Sequence, residues 1–450
     1  MNLSIIGAGH VGLVAGACFA EIGHDVVCID NDPKKIAELE AGRTPFFEPY
    51  LPEMLAANVE RGRLRFSLDL ADAVEHSEVI FLCVGTPPLP DGEADLSAVE
   101  RVTRQIAMLS DGYRLIVEKS TVPVLTGERI YNTMRIYRAS HGRGEFDVAS
   151  NPEFLAEGTA VRDFLFPDRI VLGVETDRAS KLLQGLYQPI MERGFEWRPN
   201  CGAPDEDQRP EMVVTNRNTS EMIKHASNSF LSLKISYANM VARLCDAVGA
   251  NVDHVTRGMG LDQRIGPQFL RAGIGFGGFC FPKDLQAFVS MAERNGVQFD
   301  ILREVEKLNI SQLDYFVHKL KRELWVLKGK KIAAWGLAFK ANTDDVRFSP
   351  AIYVIEKLLA EGVEITAFDP QAIDEARHTG LDIEYASSAE EAAAGADALV
   401  LLTEWPDFRN ADFARIQQSM VRPLILDGRN LLDPNKLRSM GFEYISMGRP

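Results

Sequence analysis

The chain has 450 residues, with 49 Lys and Arg against 64 Asp and Glu, giving a formal net charge of −15. A field of that sign repels polyanions and anionic membrane surfaces, which argues against nucleic acid or a bilayer as partner. At roughly 150 residues per domain the length points to two or three units, each able to bury its own core.

The opening MNLSIIGAGHVGL has no basic n-region and no small-residue cleavage site, and four glycines break its apolar run within the first sixteen residues. It reads as a strand followed by a helix. No stretch approaches the roughly 18 uninterrupted apolar residues of a spanning helix, so a soluble, cytoplasmic protein is expected. Six cysteines, Cys18, Cys28, Cys83, Cys201, Cys245 and Cys280, lie far apart without a CxxC pair. Reduced thiols and no metal site are expected.

From Asn2 the pattern is strand, glycine turn, apolar helix and a second strand over Asp25 to Ile29. Strand-like runs at Val79 to Val84, Arg114 to Glu118 and Phe146 to Ala149 alternate with helical segments, which predicts a doubly wound parallel sheet over 1–200. The polar, Pro-rich and acidic stretch 197–211 reads as an exposed loop. Apolar residues then recur at helical spacing from Ser220 to Val248, predicting one long helix within a central helical region, 212–325. Such a helix can also pair with its copy in a second subunit. A second βαβ pattern starts near Lys330, with KKIAAWGLAF, VEITAFDP, ALVLLTEW and PLILDG, and fills 326–450. The fold class expected is therefore α/β, with two Rossmann-like doubly wound domains joined by the helical middle.

Gly7-Ala8-Gly9-His10-Val11-Gly12 is a GxGxxG between a strand and a helix. Gly7 permits the turn, Gly9 lets a pyrophosphate approach the backbone, and Gly12 lets helix and strand pack closely. Asp30, ending the second strand, is placed to accept from both ribose hydroxyls and to repel a 2′-phosphate, which selects NAD over NADP. The second half has Gly336-Leu337-Ala338-Phe339-Lys340 at the equivalent turn, so no second dinucleotide is expected there. Lys340, Arg347 and Arg429 supply cations at strand ends, suited to a diphosphate.

In the segment Gly273 to Asp284, GIGFGGFCFPKD, four glycines precede Cys280, and Pro282 follows at the expected start of a helix. A thiol at a helix N-terminus beside Lys283 has the setting of a nucleophile. The same segment fits an inert cysteine beside a structural loop equally well. Lys224 and Asn228 stand four apart on the long helix and can form an oxyanion hole, or else a polar stripe at a dimer seam. Glu153 and Glu157 follow a strand at the edge where ligands bind in such sheets, and Thr121 offers a hydroxyl at the same edge.

Together with VGTPP, KSTVP, NPEFLAEGTAVRDFLFPDRIVLG, EMIKHASNSF, RIGPQFLRAGIGFGGFCFPKD and GLAFKANTDDVRFSPA, these segments resemble the UDP-glucose/GDP-mannose dehydrogenases along nearly the whole chain. The wording EGTAVRDF and PDRIVLG is more similar to the UDP-glucose branch. The resemblance implies a four-electron oxidation with two NAD. Thr121 and Asp284 would manage the hydroxyl proton through a water, while Lys224 and Asn228 steady the oxygen. Cys280 would carry a thiohemiacetal and then a thioester, hydrolysed by water that Glu153 activates. It further implies that Lys35, Thr86, Thr121, Glu157, Lys283 and Arg347 join Gly7, Gly9, Val11, Gly12 and Asp30 in holding NAD. Substrate contacts would fall on Glu153, Phe154, Leu155, Lys224, Asn228, Arg264, Phe269, Leu270, Gly273, Gly277, Phe339, Lys340 and Arg429. Arg264 would reach in from a neighbouring subunit of a homodimer or higher homo-oligomer. The same chemistry on UDP-N-acetylmannosamine, UDP-galactose or GDP-mannose is the neighbouring reading, and a non-catalytic nucleotide-sugar sensor the distant one. The chain departs from the family wording at Phe279, usually Ser, at Ala341 and Phe348, usually Pro and Glu, and at Tyr50, usually Gly.

Overall fold

The computed structural model describes residues 1–90, 92–141, 144–195 and 209–450. The stretch 197–208, most of the expected acidic loop and including Cys201, lies outside the described residues. Contacts divide the chain into two compact units, the first made of 1–227 and 286–295, the second of 228–285 and 296–450.

Unit 1 is built on eight strands: β1 (Asn2–Ile6), β2 (Asp25–Ile29), β3 (Leu64–Ser67), β4 (Val79–Leu82), β5 (Arg114–Glu118), β6 (Phe146–Ser150), β7 (Arg169–Gly173) and β8 (Glu211–Thr215). Their order is β3-β2-β1-β4-β5-β6-β7-β8. Helices cover both faces, so central strands such as β4, Val-Ile-Phe-Leu, are buried throughout instead of alternating. The expected all-parallel sheet needs one correction: β7 meets β6 antiparallel, at Ser150 and Gly173. That contact is a single register pair, and β7 makes its full parallel ladder on its other side, with β8 from Arg169–Glu211 to Gly173–Thr215.

Unit 2 holds β9 (Lys331–Trp335), β10 (Glu364–Phe368), β11 (Glu384–Tyr385), β12 (Ala398–Leu401), β13 (Leu424–Asp427) and β14 (Glu443–Ser446), all paired in parallel. The order β11-β10-β9-β12-β13-β14 repeats the plan of the first six strands of unit 1. Two separate sheets agree with the reading of two Rossmann-like halves. Each has its order reversal beside its first strand, the position where such sheets open a crevice.

The long helix runs Arg217–Val248, three residues earlier than its apolar spacing indicated. Asn216 explains the difference, because its Oδ1 accepts from Thr219 N at 2.8 Å and caps the first turn. Tyr50 and Phe348, two departures from the family wording, have φ of 69° and 51°. Both occupy left-handed backbone that glycine takes more easily. Among the described residues no helix is long and apolar enough to cross a membrane.

Candidate active site

In unit 1 the three glycines of the first turn are needed for three separate reasons. Gly7 has φ +103°, and a Cβ there would lie 2.6 Å from the Cys83 carbonyl oxygen. A Cβ on Gly12 would fall 1.8 Å from Gly7 O, so helix and strand close only on glycine. A Cβ on Gly9 would meet no protein atom within 4 Å, which leaves the close approach of a pyrophosphate as the reason for a bare backbone. The turn therefore fits a dinucleotide. Asp30 stands beside it, with Oδ2 accepting from Ala8 N and Lys35 Nζ at 2.9 Å each, and Oδ1 accepting from Asp32 N at 3.1 Å. Burial alone would raise its pKa, but those hydrogen bonds and the Lys35 charge outweigh it and hold the carboxyl below its ordinary value.

The equivalent turn of unit 2 is closed. Asp369 takes the place of Asp30, yet its carboxylate already accepts from Leu337 N, Ala338 N, Trp405 Nε1, Gln371 N and Ala372 N. Five donors leave nothing for a ribose. The asymmetry between the halves is thus chemical as well as sequential.

Also in unit 1, Glu153 and Lys224 form an ion pair of 2.9 Å with both side chains 4 % exposed. The other carboxylate oxygen accepts from Leu155 N at 2.6 Å. The Lys224 ammonium lies 5.6 Å from the centre of the Phe154 ring, so four of the expected substrate residues form one cluster. Thr121, in the loop after β5, is tied to the loop after β4, since its carbonyl accepts from Thr86 Oγ1 at 2.9 Å. Glu157 lies in the loop after β6, half-buried. Sequence reasoning missed Lys119, the first residue of the quoted KSTVP. It is buried, donates to Asn151 Oδ1 at 3.0 Å, and has its pKa lowered to about 8, first by desolvation. Its charge is felt by Cys83, Glu153 and Lys224, so it belongs to the electrostatics of that cluster.

In unit 2, Cys280 is the first residue of the helix Cys280–Arg294. Of the five described cysteines four are buried and Cys280 alone is half-exposed. Burial pushes the Cys28 and Cys83 thiols up, Cys83 to about 12, which removes them as nucleophiles. One turn along the helix Asp284, fully buried, accepts from Asn228 Nδ2 at 2.6 Å and pairs with Lys283 Nζ at 2.8 Å. The ammonium expected to favour the thiolate is therefore directed to the neighbouring carboxylate.

The glycine segment ahead of Cys280 is held in place by backbone contacts. Asn239 Oδ1 accepts from Gly273 N, Gln312 Nε2 donates to Gly273 O, and the Asn309 amide both accepts from Phe276 N and donates to Phe276 O, all at 2.7–2.9 Å. Arg429 adds bonds to the carbonyls of Gly275, Phe339 and Leu402 at 2.7–3.0 Å. The expected substrate cation thus ties the loop, through Gly275, to the ends of β9 and β12. Gly277 and Gly278 are required by crowding: a Cβ would come within 2.3 Å of Phe348 O in one case and 2.7 Å of the Phe339 ring in the other. Phe279, where the family usually has Ser, carries the Arg347 guanidinium 4.6 Å above its ring, and Arg347 also forks onto Asp345 at 2.7 Å. Lys340 stands by Phe339, 5.5 Å from its ring. Leu270 is buried beside the exposed Phe269, whereas Arg264 projects with its side chain 88 % exposed, forked onto its own Asp262. The clamping amides were illegible in sequence, because Asn239, Asn309 and Gln312 look like ordinary polar positions on helices.

The glycine turn of the first Rossmann-like unit, with Asp30 beside it, defines an NAD-dependent oxidoreductase. The chain belongs to the UDP-glucose/GDP-mannose dehydrogenase family: its NAD binding domain matches residues 1–191, its central domain 218–311 and its UDP binding domain 333–434. It is 44 % identical to a UDP-glucose 6-dehydrogenase of Rhizobium meliloti (strain 1021), covering all of both chains. A UDP-glucose 6-dehydrogenase of Bacillus subtilis (strain 168) is 41 % identical, over all of this chain and 93 % of that one. The solved structure of a UDP-glucose dehydrogenase from the archaeon Pyrobaculum islandicum superposes with a TM-score of 0.87 at 35 % identity, over 99 % of this chain and 96 % of that one.

Proposed function

We propose that this chain oxidises UDP-glucose to UDP-glucuronate in two successive two-electron steps through a thioester on Cys280. The observation that carries the reading is the setting of Cys280, the one half-exposed thiol among the described cysteines, opening a helix whose next turn holds the buried Asp284–Asn228 pair. NAD, when bound at the Gly7–Gly12 turn, supplies the hydride acceptor for both oxidations. In the first step Thr121 and Asp284 pass the C6 hydroxyl proton to a water as the hydride leaves, and Lys224 and Asn228 donate to the oxygen that gains charge. The Cys280 sulfur then bonds to the aldehyde carbon. Loss of a second hydride from this thiohemiacetal leaves a thioester, and Glu153 takes a proton from the water that displaces the sulfur. Residues 1–200, 212–325 and 326–450 take the roles of NAD-binding, helical and UDP-sugar-binding regions, with Lys340 as a cation for the UDP-sugar and Arg347 as a ligand of NAD.

A homodimer fits the long helix. Phe230, Tyr237 and Leu244 repeat every seven residues on it and are 59 %, 54 % and 62 % exposed, an apolar seam suited to a second copy. Leu244→Glu should then give monomers in light scattering, and activity lost in Arg264→Ala should return on mixing with another inactive variant. The buried thiols of Cys28, Cys83 and Cys245 suit a reducing compartment, the cytoplasm.

The direct test is the mass of the Glu153→Gln protein after incubation with UDP-glucose and NAD. A uronyl adduct on Cys280 is expected to accumulate, because hydrolysis lacks its base. Adduct on no residue, with unimpaired turnover, would contradict the assignment.

A further inference from the structure

Two buried acids lie outside every role given so far. Glu118 ends β5 and is 2 % exposed; Glu221 lies in the second turn of the helix Arg217–Val248 and is 3 % exposed. Glu221 accepts from Leu125 N at 2.7 Å through Oε2 and from Gly127 N at 2.8 Å through Oε1. These N–H groups stand at the mouth of the helix Thr126–His141, where an anionic acceptor is favoured. The two carboxyl groups converge on one backbone position. A Cβ on Gly127 would lie 3.1 Å from Glu221 Oε1, 3.5 Å from Glu118 Oε2 and 3.1 Å from Arg217 Cδ. Two carboxylates so close and so dry cannot both be ionised. Glu221 already accepts one backbone N–H on each oxygen, which favours its ionised form and leaves a further lone pair on each, so Glu118 is the acid that carries the proton.

We infer that Glu118 and Glu221 share one proton, and that this pair is the positioning device that ties the loop carrying Thr121 to the helix carrying Lys224. Thr121 comes three residues after Glu118, and Lys224 three residues after Glu221, so the pair sets the spacing of both. The inference rests on the proposed roles of Thr121 and Lys224. His225 reinforces the tie, its Nε2 lying 2.7 Å from Val122 O.

Burial first, and the Glu221 charge second, push Glu118 well above the usual carboxyl range; burial raises Glu221 too, against the N–H bonds it accepts. Arg217 is the cation that faces the pair, and it is itself 3.5 Å from Glu175 and 5.5 Å from the centre of the Tyr131 ring. Glu128 is the acid in the first turn of the helix Thr126–His141. Lys119, next along the strand end, turns to Asn151 and Tyr187. Because the folded value of Glu118 lies above the unfolded one, the folded chain holds a proton that the unfolded chain has lost. Stability therefore falls as pH rises from the ordinary carboxyl value, about 4.3, up to the folded one.

Glu118→Gln keeps a donor toward Glu221 and has no proton to lose, whereas Glu118→Ala removes the donor. Unfolding of the full chain from pH 5.5 upward is expected to show the ratio of wild-type to Glu118→Gln unfolding constants rising with pH, by up to about tenfold per pH unit, until the folded value is passed. At pH 7 kcat should stay within about twofold of wild type in Glu118→Gln and fall at least about tenfold in Glu118→Ala, with KM for NAD little changed. A ratio of unfolding constants that does not vary with pH would overturn the shared proton. Equal kcat in the Gln and Ala variants would overturn the positioning role. A wild type that reduces no NAD with UDP-glucose would overturn the proposed function and the positioning role with it, while the unfolding ratio still decides on the proton.

Discussion

Lys224 Nζ sits 2.9 Å from Glu153 Oε1 with both side chains almost wholly removed from water. Desolvating two charges offsets most of their attraction, so the pair adds little net stability, yet removing one partner strands the other. Lys224→Met is therefore expected to destabilise unit 1 by about 3–5 kcal/mol, and Lys224→Met with Glu153→Gln by much less. Urea unfolding of the two variants measures the difference. Equal losses would show that Glu153 is not stranded.

Lys119 gives a pH signature of opposite sign to that of Glu118. Its folded pKa of about 8 lies below the unfolded lysine value of about 10.4, so the unfolded chain holds the extra proton between those values. Stability from this group rises with pH through that window and is constant below it. Lys119→Met is expected to be more stable than wild type at pH 7, by up to about 3 kcal/mol, with the advantage vanishing above pH 10. An advantage independent of pH would show that Lys119 is charged in the folded chain throughout.

Asp30 holds Lys35 at 2.9 Å while facing the dinucleotide turn. Asp30→Ala removes the carboxylate that repels a 2′-phosphate and frees the Lys35 ammonium to meet it. The NAD over NADP preference in kcat/KM is expected to shrink by at least about 100-fold, the effect of roughly 3 kcal/mol. Lys35→Ala in the same background should restore part of it. An unchanged preference would place the discrimination elsewhere.

Phe279 and Arg347 show what bulk beside the nucleophile does here. The guanidinium lies 4.6 Å above the ring, a contact worth about 0.5–2 kcal/mol. Phe279→Ser, which restores the usual family residue, should lower the stability of unit 2 by that amount and raise KM for NAD, for which Arg347 is the proposed ligand. Thermal unfolding and NAD titration check the two halves of the expectation; no change in either would leave the stacking without consequence.

The sequence made the glycine turn, Asp30, Cys280 and the strands of both halves readable, because each is a local pattern: a fixed spacing, a run of β-branched residues or a helical period. What stayed hidden depends on contacts between distant positions. The antiparallel entry of β7 shows in a single register pair with β6, Ser150 with Gly173, and not in its own apolar residues. Glu221 stood in a quoted motif, but nothing in EMIKHASN shows that it meets Glu118 across 103 residues of chain. Arg429 was legible as a cation at a strand end, and only its geometry reveals three backbone carbonyls around the guanidinium. Closure of the second turn was legible as a missing fingerprint; the five donors on Asp369 supply its physical cause.

The thioester on Cys280 is tested most directly by counting NADH formed per UDP-glucose consumed, with wild type and Cys280→Ser side by side. Two NADH per sugar are expected for wild type, and a protein stalled after the first oxidation or trapped covalently for the variant. Full-rate turnover of Cys280→Ser at two NADH per sugar would contradict a thioester on Cys280.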